Sequence, residues 1–200
     1  MLFYSLFVSI SLFLVFILNT VFKNGPFWLV LLMVILCFIF EFALDALIAL
    51  IIRRGIPEER IKPDAKIYQV KKWEKGFYEK LGIKFWKDKV LELGQASGFK
   101  KDHLNSTGDI DYLKRFIIES CYGESIHFVS VIMSFSVMLL GFWMPQYLWS
   151  IFLPASFINA FVNLLPALIQ RYVRPRLEVL YKRSLRTKEK AINQGQNEQK

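Results

Sequence analysis

Residues 27–52 read FWLVLLMVILCFIFEFALDALIALII, an apolar run broken only by Glu41 and Asp45 and closed by Arg53-Arg54. A helix needs about 20 such residues to cross the hydrocarbon of a bilayer, so this stretch decides the class of the molecule. Three more runs meet the same length, at about residues 2–22, 116–143 and 147–169. Hydrophobic residues make up 54% of the 200, aromatics 16%, and mean hydropathy is +0.33. That exceeds the apolar share of a soluble domain, and a soluble chain this small has no interior for four helices apolar all round. The expected fold is an all-α membrane protein of one polytopic domain over residues 1–186. It has four transmembrane helices plus interfacial amphipathic helices in a cytoplasmic segment, residues 53–115. Residues 187–200 are expected to be a disordered polar tail.

The first run lacks a basic leader and a small-residue cleavage site, so it reads as an uncleaved span rather than a signal peptide. Cys37 and Cys121 form no CxxC or disulfide pattern. Residues 53–115 carry 16 Lys/Arg and residues 171–200 carry 9, whereas the Lys23 connection has one and the Trp143–Tyr147 connection none. By the positive-inside rule the middle segment and both termini are expected in the cytoplasm. The net charge of +9 then reports topology and anionic headgroups, and no motif pairs it with nucleic acid. Trp28, Trp143 and Trp149 fall at the outer span ends, and Trp73 and Trp86 in the inner segment, as two interfacial belts require.

Asn24-Gly25-Pro26 supplies a turn between spans one and two. Ile67, Val70, Trp73, Phe77 and Leu81 recur at helical steps between lysines and glutamates, which predicts an interfacial amphipathic helix ended by Gly82. Phe85, Trp86, Val90, Leu91 and Leu93 extend its apolar face to Gly94. Residues 95–108 read as a loop, and Asp109 or Asp111 as the cap of the third span.

Ionisable side chains inside a span cost at least about 2.5–3.5 kcal/mol and commonly work for it. Glu119, Glu124 and His127 open the third run, and Glu124 and His127 share a helix face. Counting from the flanking arginines Arg53, Arg115 and Arg171, Glu41, His127 and Asn159 lie about 18 Å along their helices. Asp45, Glu124 and Asn163 form a second layer at roughly 12–14 Å. Glu41/Asp45 and Asn159/Asn163 are i,i+4 pairs, each on one face. The expectation is a polar cavity open toward the cytoplasmic interface, with Asp45 or Glu41 available to orient His127. Interhelical glue is the competing reading; polar contacts of that kind stabilise a bundle by roughly 0.6 kcal/mol each.

The fourth run ends in Gln170-Arg171-Tyr172-Val173-Arg174-Pro175-Arg176-Leu177. Proline pushes Arg174 toward an extended or turn geometry. The arginine forks suit phosphate or carboxylate, although basic residues flank the inner end of most spans.

Three stretches together resemble the glycosyl-diaponeurosporenoate acyltransferases, membrane enzymes of the staphyloxanthin pathway. They are Trp73–Gly94 (WEKGFYEKLGIKFWKDKVLELG), Phe116–Phe128 (FIIESCYGESIHF) and Gln170–Leu177 (QRYVRPRL), within a likeness spanning roughly residues 65–180. Gly123, Ser125, Phe128 and Val173 depart from the family pattern, while Glu119, Glu124, His127, Arg171, Arg174 and Arg176 keep it. The resemblance implies a bacterial cell-membrane enzyme that moves a fatty acyl group onto a hydroxyl of a glycolipid or glycosylated carotenoid at the cytoplasmic leaflet. The drift around the retained polar residues points to an acceptor other than the family's carotenoid.

On that reading His127 is the general base, because a positioned imidazole takes the proton of an attacking hydroxyl. Glu124 or a carboxylate of span two orients it, and Glu119 is counted with them among the catalytic residues. Arg171, Arg174 and Arg176, with Trp86 and Lys87, hold an acyl-CoA or acyl carrier protein donor, and Glu41, Asp45, Asn159 and Asn163 face the substrates. No resident cofactor is expected; the donor is a co-substrate. The rival enzyme class is a lipid methyltransferase or reductase, for which no Gly-rich cofactor loop is present. A metal site is not expected, since Glu124-x-x-His127 lacks the second copy of di-iron bundles and the other histidine is His103. A small transporter is the non-enzymatic alternative, kept in view by Pro154 and Pro166 in span four.

Overall fold

The computed structural model describes residues 2–87, 90 and 110–197, and among them every regular element is helical. Helix α1 (Leu2–Ile17) ends in a π-helical turn, Leu18–Phe22. The chain reverses through Asn24, which has φ 50°. The Gly25 N–H then donates to the Asn19 carbonyl at 2.9 Å. A Cβ on Gly25 would meet that carbonyl oxygen at 2.8 Å, so the close approach requires glycine. Helix α2 (Phe27–Gly55) follows Pro26, whose φ of −58° suits the residue before a first turn. It stops at Ile56-Pro57, where the proline cannot continue the ladder.

The segment after α2 differs from expectation. Residues 61–71 form turns, and the amphipathic helix is confined to α3 (Lys72–Lys80). Trp73 and Phe77 are exposed on it, while Glu74 and Tyr78 are buried. The packed face is therefore the polar one, and the aromatics point outward as a membrane-surface helix needs. Gly82 (φ 63°) breaks the chain into α4 (Ile83–Trp86). Ile83 is fully buried against Tyr78, Ile169 and Tyr172. Leu91, Leu93, the 95–108 loop, His103 and Asp109 lie outside the described residues. Asp111 occupies the first turn of the next helix.

Helix α5 (Ile110–Met133) tightens into a 3₁₀ stretch, Ser134–Trp143. After a short turn, a π-helical turn (Leu148–Phe152) leads into α6 (Leu153–Asn197). One expectation fails on α6, the extended geometry at Arg174. The helix runs unbroken through Pro166 and Pro175, and it continues past Thr187 to Asn197; residues 198–200 lie outside the description. Arg174 is thus helical. Its burial and the packing of Leu177 against Leu113, Phe116 and Ile117 outweigh the local bias of a residue before proline. Extending a formed helix into Lys, Arg, Glu and Ala adds one backbone bond per residue fixed, without a new nucleus.

Four of these helices are long and apolar enough to cross a membrane: Ser5–Phe22, Phe27–Gly55, Ile110–Trp143 and Pro145–Gln194. Their outward faces are apolar and exposed, for example Phe13, Phe22, Phe42, Ile132 and Trp143. Such a surface suits lipid and not water. The chain is an all-helical membrane protein. Helices α5 and α6 form the most extensive pair. At one end of the bundle Val30, Cys37, Val137 and Ile151 pack into a dry core. The other end carries the charged residues and the α3–α4 segment.

Candidate active site

Two of the three arginines of the fourth span's motif are bound by protein groups. Arg171 donates from Nε to Glu74 Oε2 at 2.6 Å. Its terminal nitrogens donate to the Ile67 carbonyl at 2.9 Å, the Gln69 carbonyl at 3.0 Å, Glu74 Oε1 at 3.2 Å and Glu124 Oε1. All five of its donors are engaged. Arg174 has no exposed surface. It donates to Ser120 Oγ at 2.9 Å, the Ser120 carbonyl at 3.0 Å, the Tyr68 carbonyl at 2.9 Å and Glu124 Oε2, and it lies over the Tyr68 ring at 5.2 Å. Glu124 is therefore a two-pronged acceptor for both arginines. The residues expected to grip a donor's phosphates thus have protein partners here for all five donors of Arg171 and for four of those of Arg174.

The clamp has a mechanical result. It fastens the 67–69 turn and α3 against α5 and α6. Glu74, which the sequence reading passed over, is held down to about 2 by the hydrogen bond from Arg171, with help from the Lys71 N–H and the Tyr78 hydroxyl. Its signal was present: Glu74 and Tyr78 stand four apart on one face, about 100° round the helix from Trp73 and Phe77. Gly123 lets Gln170 approach; a Cβ there would lie 3.2 Å from its side chain. Arg176 is exposed and donates to the Tyr172 hydroxyl at 2.8 Å while stacking on its ring. Trp86 donates from Nε1 to the Leu81 carbonyl at 2.9 Å, and Lys87 is half-buried beside it.

Glu119 is likewise diverted. Arg53 donates to its two oxygens at 2.7 and 3.4 Å and lies over the Tyr122 ring at 5.3 Å. This pair corrects the depth count. Glu119, not Arg115, is the α5 residue level with Arg53, and His127 lies eight residues beyond Glu119. Asp45 and Asn163 are equally far from Arg53 and Arg171, about 12 Å along each helix.

The three residues meet there. His127 Nδ1 lies 2.9 Å from Asn163 Oδ1, and Asn163 Nδ2 donates to Asp45 Oδ2 at 2.8 Å. A carboxylate only accepts, so the amide's orientation is set by Asp45 and its oxygen faces the imidazole. His127 then donates from Nδ1 to the Asn163 oxygen. Three helices thus build a His127–Asn163–Asp45 relay. One turn further in, Asn159 donates to Glu41 Oε2 at 2.9 Å and Ser134 Oγ at 3.0 Å, which is the layer expected to hold His127. Glu41 Oε1 and Ser130 Oγ are buried and have no hydrogen-bond partner.

The relay, Glu41, Ser130 and the Arg53–Glu119 pair line one cavity of about 670 Å³ between α1, α2, α5 and α6. Its remaining wall is largely apolar, contributed by residues such as Leu12, Val34, Phe38 and Ile158. Ionisable groups facing an apolar pocket of this size have the form of a binding or catalytic site. No group of His, Cys, Asp and Glu among the described residues is arranged to hold a metal ion.

Compared with known families, residues 64–183 match the family described as glycosyl-4,4'-diaponeurosporenoate acyltransferase. No curated protein and no solved structure gives a significant match.

Proposed function

The chain belongs to the glycosyl-4,4'-diaponeurosporenoate acyltransferase family, and from that premise we propose that it acylates a sugar hydroxyl of a membrane glycolipid or glycosylated carotenoid. The donor is a thioester, acyl-CoA or acyl carrier protein, presented at the cytoplasmic leaflet. The 16 basic residues of segment 53–115 and the 9 after residue 170 favour that side for the segment and both termini.

His127 Nε2 takes the hydroxyl proton as the oxygen attacks the thioester carbonyl. The C–O bond forms, the carbonyl becomes a tetrahedral oxyanion, and its collapse breaks the C–S bond. The imidazolium returns its proton to the leaving sulfur, so the ring is neutral again. Asp45 acts through Asn163 as a positioning residue: it fixes the tautomer and stabilises the imidazolium while that exists. Glu41 Oε1, Ser130 Oγ and Asn159 supply hydroxyl partners for the sugar. Glu124, Arg171 and Arg174 hold the inner segment in place rather than react. Arg176, Trp86 and Lys87, at the inner end, are assigned to the donor's polar part.

The observation that carries this reading is the relay, whose imidazole belongs to the lining of a largely apolar cavity. The test is lipid mass spectrometry on cells expressing the protein or His127→Ala at matched level. An acyl-sized mass gain on a glycolipid or pigment, lost in the variant by at least 10²-fold, is the expected outcome. Equal acylation by the variant removes His127 as the base. A methyl-sized or two-hydrogen shift assigns the protein to lipid methylation or reduction instead.

A further inference from the structure

Helix α3 carries a surface that the cavity does not use. At about 100° per residue, its stripes follow one another as Lys72/Gly76/Lys80, Trp73/Phe77, Glu74/Tyr78 and Lys75/Glu79. Glu74 and Tyr78 are the packed stripe, and the other three are exposed. The bond from Arg171 to Glu74 at 2.6 Å fixes the helix at the level where the apolar run 147–169 gives way to charge. Trp73 and Phe77, 66% and 46% exposed, suit the edge of the hydrocarbon at that level. Lys72, Gly76 and Lys80 lie beside them, on the side of the helix opposite the packed stripe.

Gly76 leaves a gap in the lysine stripe, since a Cβ there would meet nothing within 4 Å. It stands four residues from each lysine, about 6 Å along the axis, so both ammonium groups reach a group seated over it. Among the described residues neither lysine has an acidic partner. Glu74 is committed to Arg171, and Glu79 stands on the Lys75 stripe. Lys71 and Lys84 add exposed positive charge at the two ends of the segment.

We infer that the Lys72–Gly76–Lys80 stripe is a headgroup site for an anionic phospholipid of the surrounding leaflet, whose acyl chains pass Trp73 and Phe77 into the hydrocarbon. The inference does not rest on the acyl-transfer reading. Aromatics alone hold a helix on a bilayer of any headgroup. The paired lysines add selection for net negative charge, with a phosphate as the group they share. A lysine near an anionic surface contributes about 1 kcal/mol, about fivefold in affinity. Two of them favour an anionic over a zwitterionic neighbour by about 25-fold on the same scale.

The test is native mass spectrometry of the full chain in detergent, exposed to equimolar phosphatidylglycerol and phosphatidylcholine with matched acyl chains. The readout is the ratio of phosphatidylglycerol to phosphatidylcholine adducts. Wild type is expected to favour phosphatidylglycerol, and Lys72→Gln/Lys80→Gln to lower the ratio by about fivefold or more. Lys188→Gln/Lys190→Gln, an equal loss of charge at exposed positions far along α6, is expected to keep the wild-type ratio. Both pairs are exposed, so neither double variant disturbs a packed face. An unchanged ratio in Lys72→Gln/Lys80→Gln overturns the inference, as does an equal fall in the two double variants, which reports net charge alone. An acyl-CoA adduct lost in Lys72→Gln/Lys80→Gln while the lipid ratio holds assigns the stripe to a soluble phosphate-bearing donor, and overturns it too.

Discussion

Replacing Glu124 with glutamine separates the two roles open to this residue. The substitution keeps the side-chain shape and removes the charge that faces Arg171 and Arg174. Glu124 is 2% exposed and Arg174 0%, so water cannot replace the lost partner. Breaking a buried ion pair from one side costs about 3–5 kcal/mol, because the surviving charge stays buried and unmatched. Arg171 keeps Glu74, and Arg174 keeps Ser120 and the Tyr68 carbonyl, which puts Glu124→Gln near the lower figure. For a chain of this length about 3 kcal/mol corresponds to a Tm fall on the order of 6–12 °C. The assay is thermal unfolding in detergent, paired with kcat measured well below the transition on the folded fraction. The clamp role requires the Tm loss with kcat close to wild type. A double variant, Glu124→Gln with Arg174→Met, recovers part of the loss, since removing both charges leaves no orphan. An unchanged Tm together with a kcat fall of about 10²-fold refutes the clamp and returns Glu124 to the chemistry.

Asp45→Asn keeps the size of the relay's last member and deletes its charge; kcat is expected to fall about 10²–10⁴-fold while the KM for an alkyl glucoside acceptor changes little. A KM rise at unchanged kcat makes Asp45 a binding group instead. Glu74, lowered from 4.5 to about 2 by Arg171, gives a stability contribution present above pH about 4.5 and lost as the pH falls toward about 2, on the order of 3 kcal/mol in full. Glu74→Gln is therefore less stable than wild type at neutral pH and lacks that acid-linked decline. Denaturation midpoints measured across this window check both, and parallel curves for the two proteins refute the linkage.

The relay was half legible in the sequence, for a physical reason. Asn159 pairs with Glu41, and Asn163 with Asp45, as counting from Arg53 and Arg171 predicts. Those arginines end parallel spans at one level, so an i,i+4 pair on each helix meets its counterpart. The same count misplaced α5 because Arg115 does not mark that level; Arg53 takes its partner four residues deeper, at Glu119. A charge can therefore serve as a depth gauge only where nothing in the bundle competes for it. The proline in QRYVRPRL misled in a related way. Local bias at Arg174 was read correctly, but the burial of Arg174 and Leu177 against α5 decides the backbone there.

The division of labour between family motif and chemistry follows from the same contacts. The matched residues 64–183 contain His127 and Asn163, yet the carboxylate that completes their relay is Asp45, supplied by α2 from outside the match. The strongest motif of the resemblance, the arginines after Gln170, goes to holding the 67–74 segment over α5 and α6. A clamp of this kind needs fixed partners at fixed spacing, so it leaves a sharp sequence signature. An orienting carboxylate needs only to stand at the right depth on a neighbouring helix, and any apolar span can carry it. The residues easiest to recognise here hold the segment in place, and the carboxylate that completes the His127–Asn163 pair lies in the stretch that resembles nothing but a membrane helix.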